Sequence, residues 1–250
     1  MPGSDFFSPT AKQRKAYEKI SICVLTPCKD YEVPTAFARC LANMVAYSWM
    51  NGLRVYQFSH TERTVVHWAR QELARRVIDH KCEYTGEQFT HLLWLDDDHV
   101  FNPDMACYLA QYADKDMVSA LYYSRAGRIL PVVYTREGCA PDDTDAYKHF
   151  PIIQPPDSLF ECHAVGFGGL LMRRDVLDRV PQPWFSFAEA GEDIYFCVKA
   201  KQAGIRVWCD GRYKMGHIGA SQIIKEQDYL KYMEEHRADM GAKIVEFKTQ

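Results

Sequence analysis

Apolar positions along the chain fall into short runs whose spacing alternates between two periods. Ile20-Ser-Ile-Cys-Val-Leu-Thr26 is a compact, β-branched run that suits a buried strand, and it stops at Pro27. Pro34 to Tyr47 carries apolar residues at helical spacing, and Leu53 to Phe58 alternates as a strand does. Thr64 to Ile78 sets Val66, Ala69, Leu73 and Val77 on one helical face. Phe89 to Leu95 reads as a strand, Pro103 to about Tyr112 as a helix, and Met117 to Tyr123 as a strand. Alternation of this kind calls for an α/β fold with a parallel-rich sheet covered by helices on both faces.

The pattern fails after Tyr134. Thr135 to Ser158 is rich in Asp and Pro and too long for an ordinary connector, which marks it as a functional or mobile loop. Periodicity resumes at Phe160 with a glycine-rich apolar strand (Val165 to Met172), a helix from Asp193 to Ala203 ending at Gly204, a strand Arg206 to Cys209, and a charged helix from about Glu226. No repeat or Gly/Ser linker offers a place to cut the chain. A single domain is expected, with a lead over 1–19, a body over 20–220 and a helical extension over 221–250 packed on the same domain.

Composition narrows the class. With 47% apolar and 25% charged residues among 250, the chain can bury a sizeable core, which excludes a disordered or collagen-like protein. Thirty basic and 33 acidic side chains give a net charge of −3, so no bulk cationic field drives nonspecific nucleic-acid or membrane binding. Nine scattered cysteines with no C-x-x-C pair read as reduced thiols. No apolar stretch approaches the roughly 18 residues of a membrane span, so the expectation is a protein without such a span, located in the cytoplasm.

Three segments carry candidate chemistry. Asp96-Asp97-Asp98 follows an apolar strand directly, where open α/β sheets bind ligands, and strand alternation would place Asp96 and Asp98 on one side. Two such carboxylates repel unless a cation lies between them, and hard oxygen ligands suit Mg²⁺ or Mn²⁺. An aspartate-rich turn capping the next helix is the plainer alternative. Gly191-Glu192-Asp193 opens a helix, where the dipole favours carboxylates whatever their function. His217, in Met215-Gly-His-Ile-Gly219, adds an imidazole that could ligate a metal.

The ordered set of motifs resembles family-2-like glycosyltransferases of the GT-A fold. It comprises Ile22-Cys-Val-Leu-Thr-Pro27, Ala69-Arg70-Gln71-Glu72, His91-Leu-Leu-Trp-Leu-Asp-Asp-Asp98 with Asn102-Pro103-Asp104, Gly166-Phe-Gly-Gly-Leu-Leu171, Gly191-Glu-Asp-Ile194 and His217-Ile-Gly219. The likeness spans about four fifths of the chain. It implies a single-domain, Rossmann-like GT-A fold with a mostly parallel central sheet flanked by helices. Thr26 and Pro27 would begin the nucleotide-base pocket, and Arg70, Asp96, Asp97, Gly168 and Gly169 would meet the donor. Asp98 and His217 would hold the metal, with Asp96 beside them. Asp193 would be the catalytic base, with Glu192 as its neighbour. Gln71 departs from the family pattern, which has Asn after the arginine. In Pro183-Trp-Phe-Ser-Phe187, Trp184 is the residue expected to stack on the acceptor, while Phe185 and Phe187 are equally explained by core packing.

The expected activity is transfer of a hexosyl or pentosyl group from a nucleotide diphosphate sugar to a hydroxyl of a saccharide or other small acceptor, with Mn²⁺ or Mg²⁺ as cofactor and inversion at the anomeric carbon. Two alternatives stand beside it. A short, anchor-free chain also resembles the stand-alone glycosyltransferases of bacterial viruses, whose acceptor would be a hydroxymethylated pyrimidine in DNA. Arg125, Arg128, Arg173, Arg174, Lys199 and Lys201 would then supply phosphate contacts. More distantly, a nucleotidyltransferase would share the acidic triplet, but Thr26-Pro-Cys-Lys-Asp30 lacks the Gly- and Arg-rich loop expected after its first strand.

Overall fold

The computed structural model of the chain describes residues 6–28, 32–60, 64–82, 85–139, 145–187 and 191–237. Lys29 and Asp30, the middle of the long loop (140–144) and the end of the extension (238–250) lie outside the described residues. In chain order the elements are α1 (Ala11–Tyr17), β1 (Ser21–Pro27), α2 (Thr35–Met50), β2 (Arg54–His60), α3 (Val66–Asp79), β3 (His91–Leu95), β4 (His99–Val100), α4 (Met105–Ala110) and β5 (Met117–Leu121). There follow β6 (Val133–Thr135), β7 (Phe150–Pro151), β8 (Leu159–Cys162), β9 (Ala164–Val165), β10 (Gly169–Arg173), α5 (Val176–Arg179) and α6 (Glu192–Gln202). The last elements are β11 (Val207–Lys214), β12 (Gly216–Ile218), β13 (Ile223–Ile224) and α7 (Glu226–Glu235).

Seven strands form the central sheet in the order β2-β1-β3-β10-β5-β11-β8. Only β10 and β8 run against the rest, so the sheet is mostly parallel. Both faces are covered, and alternate residues of each strand enter different cores. Cys23, Leu25, Leu92 and Trp94 pack with Leu73 and Val77 of α3 and Phe196 of α6. Ile22, Val24, Leu93 and Leu95 pack with Phe37 and Met44 of α2 and Met105 and Leu109 of α4. That double burial is why these strands read as continuous apolar runs. The α/β, Rossmann-like architecture expected from the sequence is the one observed.

Two departures bear on function. Val165 to Met172 is not one strand: β9 belongs to a small sheet with β6 and β7, and the chain then crosses through Gly166-Phe167-Gly168 before β10 joins the central sheet. Gly169 pairs with Leu95, which sets this crossing beside the acidic triplet. The long loop also contains structure, since Phe150–Pro151 within it form β7 and pair with β6, which ends at Thr135.

Strand order reverses between β1 and β3, so the carboxyl ends of these strands flank a crevice of the kind in which open sheets bind ligands. Thr26 and Pro27 end one strand and Asp96 follows the other. At the periphery, Tyr17 of α1 is buried and donates to the Cys107 carbonyl at 2.7 Å, and Tyr229 of α7 stacks on Tyr123 at 4.9 Å between centroids.

Candidate active site

The first half of the site is built around one cation. On α3, residues 69, 70, 73, 74 and 77 form the buried stripe, so helical spacing carries Arg70 into the apolar face. Val66, at the helix start, is instead exposed. The Arg70 side chain is 1% exposed and lies over Trp94 and Phe167 at 5.8 and 5.4 Å from their centroids, within range of a cation–π interaction. It meets three carboxylates: Asp96 at 2.8 Å, Glu192 at 3.2 Å and Asp193 at 3.4 Å. Burial works against the guanidinium charge, but Asp96, Asp193 and Glu192 more than offset it, and Arg70 stays protonated.

Glu192 and Asp193 reach this point because Gly191, at φ +91°, makes a turn that side-chain-bearing residues rarely adopt and starts α6 there. Asp193 Oδ2 accepts from the Phe167 amide at 3.1 Å, while Oδ1 has no hydrogen bond. Burial raises the Asp193 carboxyl well above the ordinary range; Arg70 opposes the shift, and Glu192 and Asp96 add to it. A carboxyl so placed is a stronger base than a solvated aspartate.

The second half lies around Asp98. After β3 the triplet turns instead of continuing as a strand, so Asp96 and Asp98 do not share a side. Asp96 goes to Arg70, and Asp98 faces two imidazoles. Its Oδ1 is 3.0 Å from His99 Nδ1 and 3.5 Å from His217 Nε2, and its Oδ2 meets Arg125 at 2.7 Å. The His99 and His217 rings stack at 4.3 Å. His217 Nδ1 lies 2.8 Å from the Tyr123 carbonyl and donates to it, which fixes the ring with Nε2 facing Asp98. Burial would raise Asp98, but the His217 and His99 imidazoles hold it well below the carboxylate range. Asp97, half-buried between two like charges, is pushed up to about 6 by desolvation first and then by Asp98 and Asp96.

Asp98, His99 and His217 offer ligand atoms within 4.8 Å of one another, and Asp96 is not among them. Asp96, expected beside the metal, is instead 2.8 Å from Arg70 after the turn at residue 97. His99 was not anticipated, because a single histidine between an acidic triplet and Val100-Phe101 looks like a core residue.

The remaining expected residues separate into those near the site and those that are not. Thr26 and Pro27 are buried at the end of β1. A Cβ on Gly168 would come 2.5 Å from His99 Cε1 and 2.7 Å from Nε2, so this glycine is required by the histidine behind it. A Cβ on Gly169 would collide with Met215 Sδ. Trp184, the residue expected to stack on the acceptor, is 2% exposed, and its indole N–H donates to the Leu177 and Val180 carbonyls. The departure at Gln71 has a structural use, since its Oε1 accepts from the Trp184 and Phe185 amides at 2.9 and 3.0 Å and ties that segment to α3. Phe185 stacks on Phe196 in the core, whereas Phe187 is 78% exposed. Phe187 and the exposed Trp68 flank the His67 ring at 6.0 and 5.6 Å, forming an aromatic shelf two residues from Arg70 on α3.

Most of the basic residues considered as phosphate contacts have partners elsewhere. Arg173, Arg174 and Lys201 pair with Asp175, Asp178 and Glu161, Lys199 donates to the Pro183 carbonyl, and Arg125 serves Asp98. No described helix is long and apolar enough to cross a membrane.

No protein-family model and no curated protein matches the sequence. Among solved structures the chain is similar to A197 from STIV, at 17% identity and a TM-score of 0.56, covering 84% of this chain and 92% of that one. Weaker likenesses include HddC from Yersinia pseudotuberculosis complexed with GMP-PN, at 9% identity, a TM-score of 0.41 and coverage of 86% and 99%. A glycosyltransferase involved in the glycosylation of the major capsid of PBCV-1 gives 15% identity, a TM-score of 0.37 and coverage of 70% and 74%. At 17% identity the likeness to A197 is one of fold.

Proposed function

We propose that this chain is a glycosyltransferase that moves a sugar from a nucleotide diphosphate donor to a hydroxyl of a saccharide or other small acceptor, with inversion. The observation that carries this reading is the pairing of two differently tuned carboxylates beside the carboxyl end of β3. Asp193 is raised by burial and suited to take a proton, while Asp98 is held ionised beside two imidazoles.

In this reading Asp193 accepts the proton of the acceptor hydroxyl as the oxygen forms its bond to the anomeric carbon. The bond from that carbon to the diphosphate oxygen breaks on the opposite face, and the electron pair leaves with the nucleoside diphosphate. Arg70 holds Asp96, Glu192 and Asp193 together, and so sets the base at a fixed position against the donor. Thr26, Pro27 and Asp97 border the crevice that would take the nucleoside. The exposed rings of Trp68 and Phe187, rather than Trp184, are available to stack on a sugar acceptor.

Asp98 and His217 are the residues that would hold a divalent cation, Mn²⁺ or Mg²⁺. The donor set fits one, because Asp98 Oδ1 is buried and without a hydrogen bond, and His217, whose Nδ1 is engaged by the Tyr123 carbonyl, turns its Nε2 toward it. When bound, such a cation would neutralise the charge that develops on the leaving diphosphate.

A thermal-shift screen of nucleotide sugars with and without Mn²⁺ tests the reading, since a ligand that binds only the native state raises the melting temperature. The expected result is a rise for one class of nucleotide sugar that Mn²⁺ enlarges. Absence of a shift with every nucleotide sugar and nucleoside diphosphate would count against it.

A further inference from the structure

We infer that His99 is a third protein ligand of the cation site, making it a two-histidine, one-carboxylate centre that selects a transition metal over Mg²⁺. The inference rests on the reading of Asp98 and His217 as the cation site and adds to it both a residue and a selectivity. His99 is buried, with a side chain 1% exposed, and neither of its ring nitrogens has a hydrogen bond. An imidazole buried in that way is costly unless something else engages it. Its Nδ1 is close to Asp98 Oδ1 but not aligned with it as a hydrogen bond, and that oxygen is also unsatisfied.

The separations are those of ligands around one ion. With metal–ligand bonds of about 2.1 Å, adjacent ligands in octahedral or tetrahedral geometry lie about 3.0–3.4 Å apart. The observed spacings from Asp98 Oδ1 are 3.0 Å to His99 Nδ1 and 3.5 Å to His217 Nε2. The outer contacts hold this arrangement in place. Arg125 takes Asp98 Oδ2, the Tyr123 carbonyl engages His217 Nδ1, and the Ile218 amide donates to the Asp98 carbonyl at 2.7 Å. Gly168 leaves the room in which the His99 ring lies, and Tyr122 packs edge-on against that ring at 4.5 Å. Two imidazole nitrogens and one carboxylate suit Mn²⁺, Co²⁺ or Zn²⁺, whereas Mg²⁺ prefers oxygen ligands and retains its waters.

Two measurements on the full-length protein test this, neither of which needs turnover. Pulsed electron paramagnetic resonance of Mn²⁺ bound to wild-type protein labelled with ¹⁵N-histidine counts coupled histidine nitrogens without any substitution. Two are expected, and one would overturn the inference while leaving Asp98 and His217 as the site. Calorimetry with Mn²⁺ and Mg²⁺ then compares wild type with His99→Gln, whose fold is checked by circular dichroism. His99→Gln should weaken Mn²⁺ at least about 10-fold and Mg²⁺ much less, narrowing the preference. An unchanged ratio in a folded variant would also overturn the inference. If wild-type protein takes up no Mn²⁺ even with a nucleoside diphosphate present, the cation reading itself falls and this inference falls with it.

Discussion

Replacing Arg70 by methionine should destabilise the protein strongly, and more so as pH rises. Methionine approximates the length of the side chain and keeps apolar contact with Trp94 and Phe167, so the perturbation is chiefly loss of charge. It leaves Asp96, Glu192 and Asp193 facing one another without their common partner. Removing one partner of a buried ion network costs about 3–5 kcal/mol, and the partial exposure of these carboxylates places the expected loss near the lower end. In a chain of this size that corresponds to a fall in melting temperature of about 6–12 °C.

The pH dependence follows from the sign of the shift. Burial already raises Asp193, and Arg70 opposes that rise; without Arg70 its folded-state value moves further above the unfolded one. A carboxyl raised in this way contributes stability below its unfolded pKa of about 3.9 and loses it as pH climbs toward the folded value. Because the wild-type carboxyl already titrates at about 8, the deficit of Arg70→Met relative to wild type should be larger at pH 9 than at pH 6. Urea unfolding followed by tryptophan fluorescence measures it, because Trp94 lies beside the substitution. Adding Asp96→Asn and Asp193→Asn to Arg70→Met should restore most of the loss. A deficit under about 1 kcal/mol, or one that does not change with pH, would refute the claim that Arg70 binds these carboxylates as a unit.

Asp193→Asn should lower turnover about 100-fold or more with donor affinity little changed, and wild-type turnover should rise with pH as the carboxylate loses its proton while the variant's residual rate stays flat. Gly168→Ala should cost about 1–3 kcal/mol in urea unfolding, because its Cβ would come 2.5 Å from His99 Cε1. Trp184→Phe should lower stability through loss of the indole donor to Leu177 and Val180 while leaving the acceptor KM unchanged, and Trp68→Ala should do the reverse.

The elements of the central sheet were legible because doubly buried strands are written as apolar runs, and β1, β3 and β5 lie where those runs predict. Val165 to Met172 misled for the same reason, since apolar content does not distinguish one strand from two short strands joined by a crossing. Within the site, the residue types were visible but their directions were not. Asp96 and Asp98 diverge because the strand's alternation ends at Leu95, and only the turn shows which partner each meets.

Arg70 did carry a sequence signal, as a charged residue within the apolar stripe of α3, spaced four residues from Ala74. For Trp184 and Phe187, which share one aromatic segment, burial could not be read from type: the larger ring is in the core and the smaller one in solvent. Arg125 looked like part of a basic surface because its partner, Asp98, is 27 residues away in sequence.

The most direct test of the central claim is to identify which bond of the donor is broken. Wild-type protein and Asp98→Ala are each incubated with Mn²⁺ and either a nucleotide sugar found to bind or the matching nucleoside triphosphate with a sugar 1-phosphate, and the products are resolved by mass spectrometry. Wild type should release nucleoside diphosphate from the nucleotide sugar, Asp98→Ala should not, and neither should consume the triphosphate. Pyrophosphate released from the triphosphate, with no nucleoside diphosphate formed from the sugar donor, would contradict that claim and identify the site as a nucleotidyltransferase.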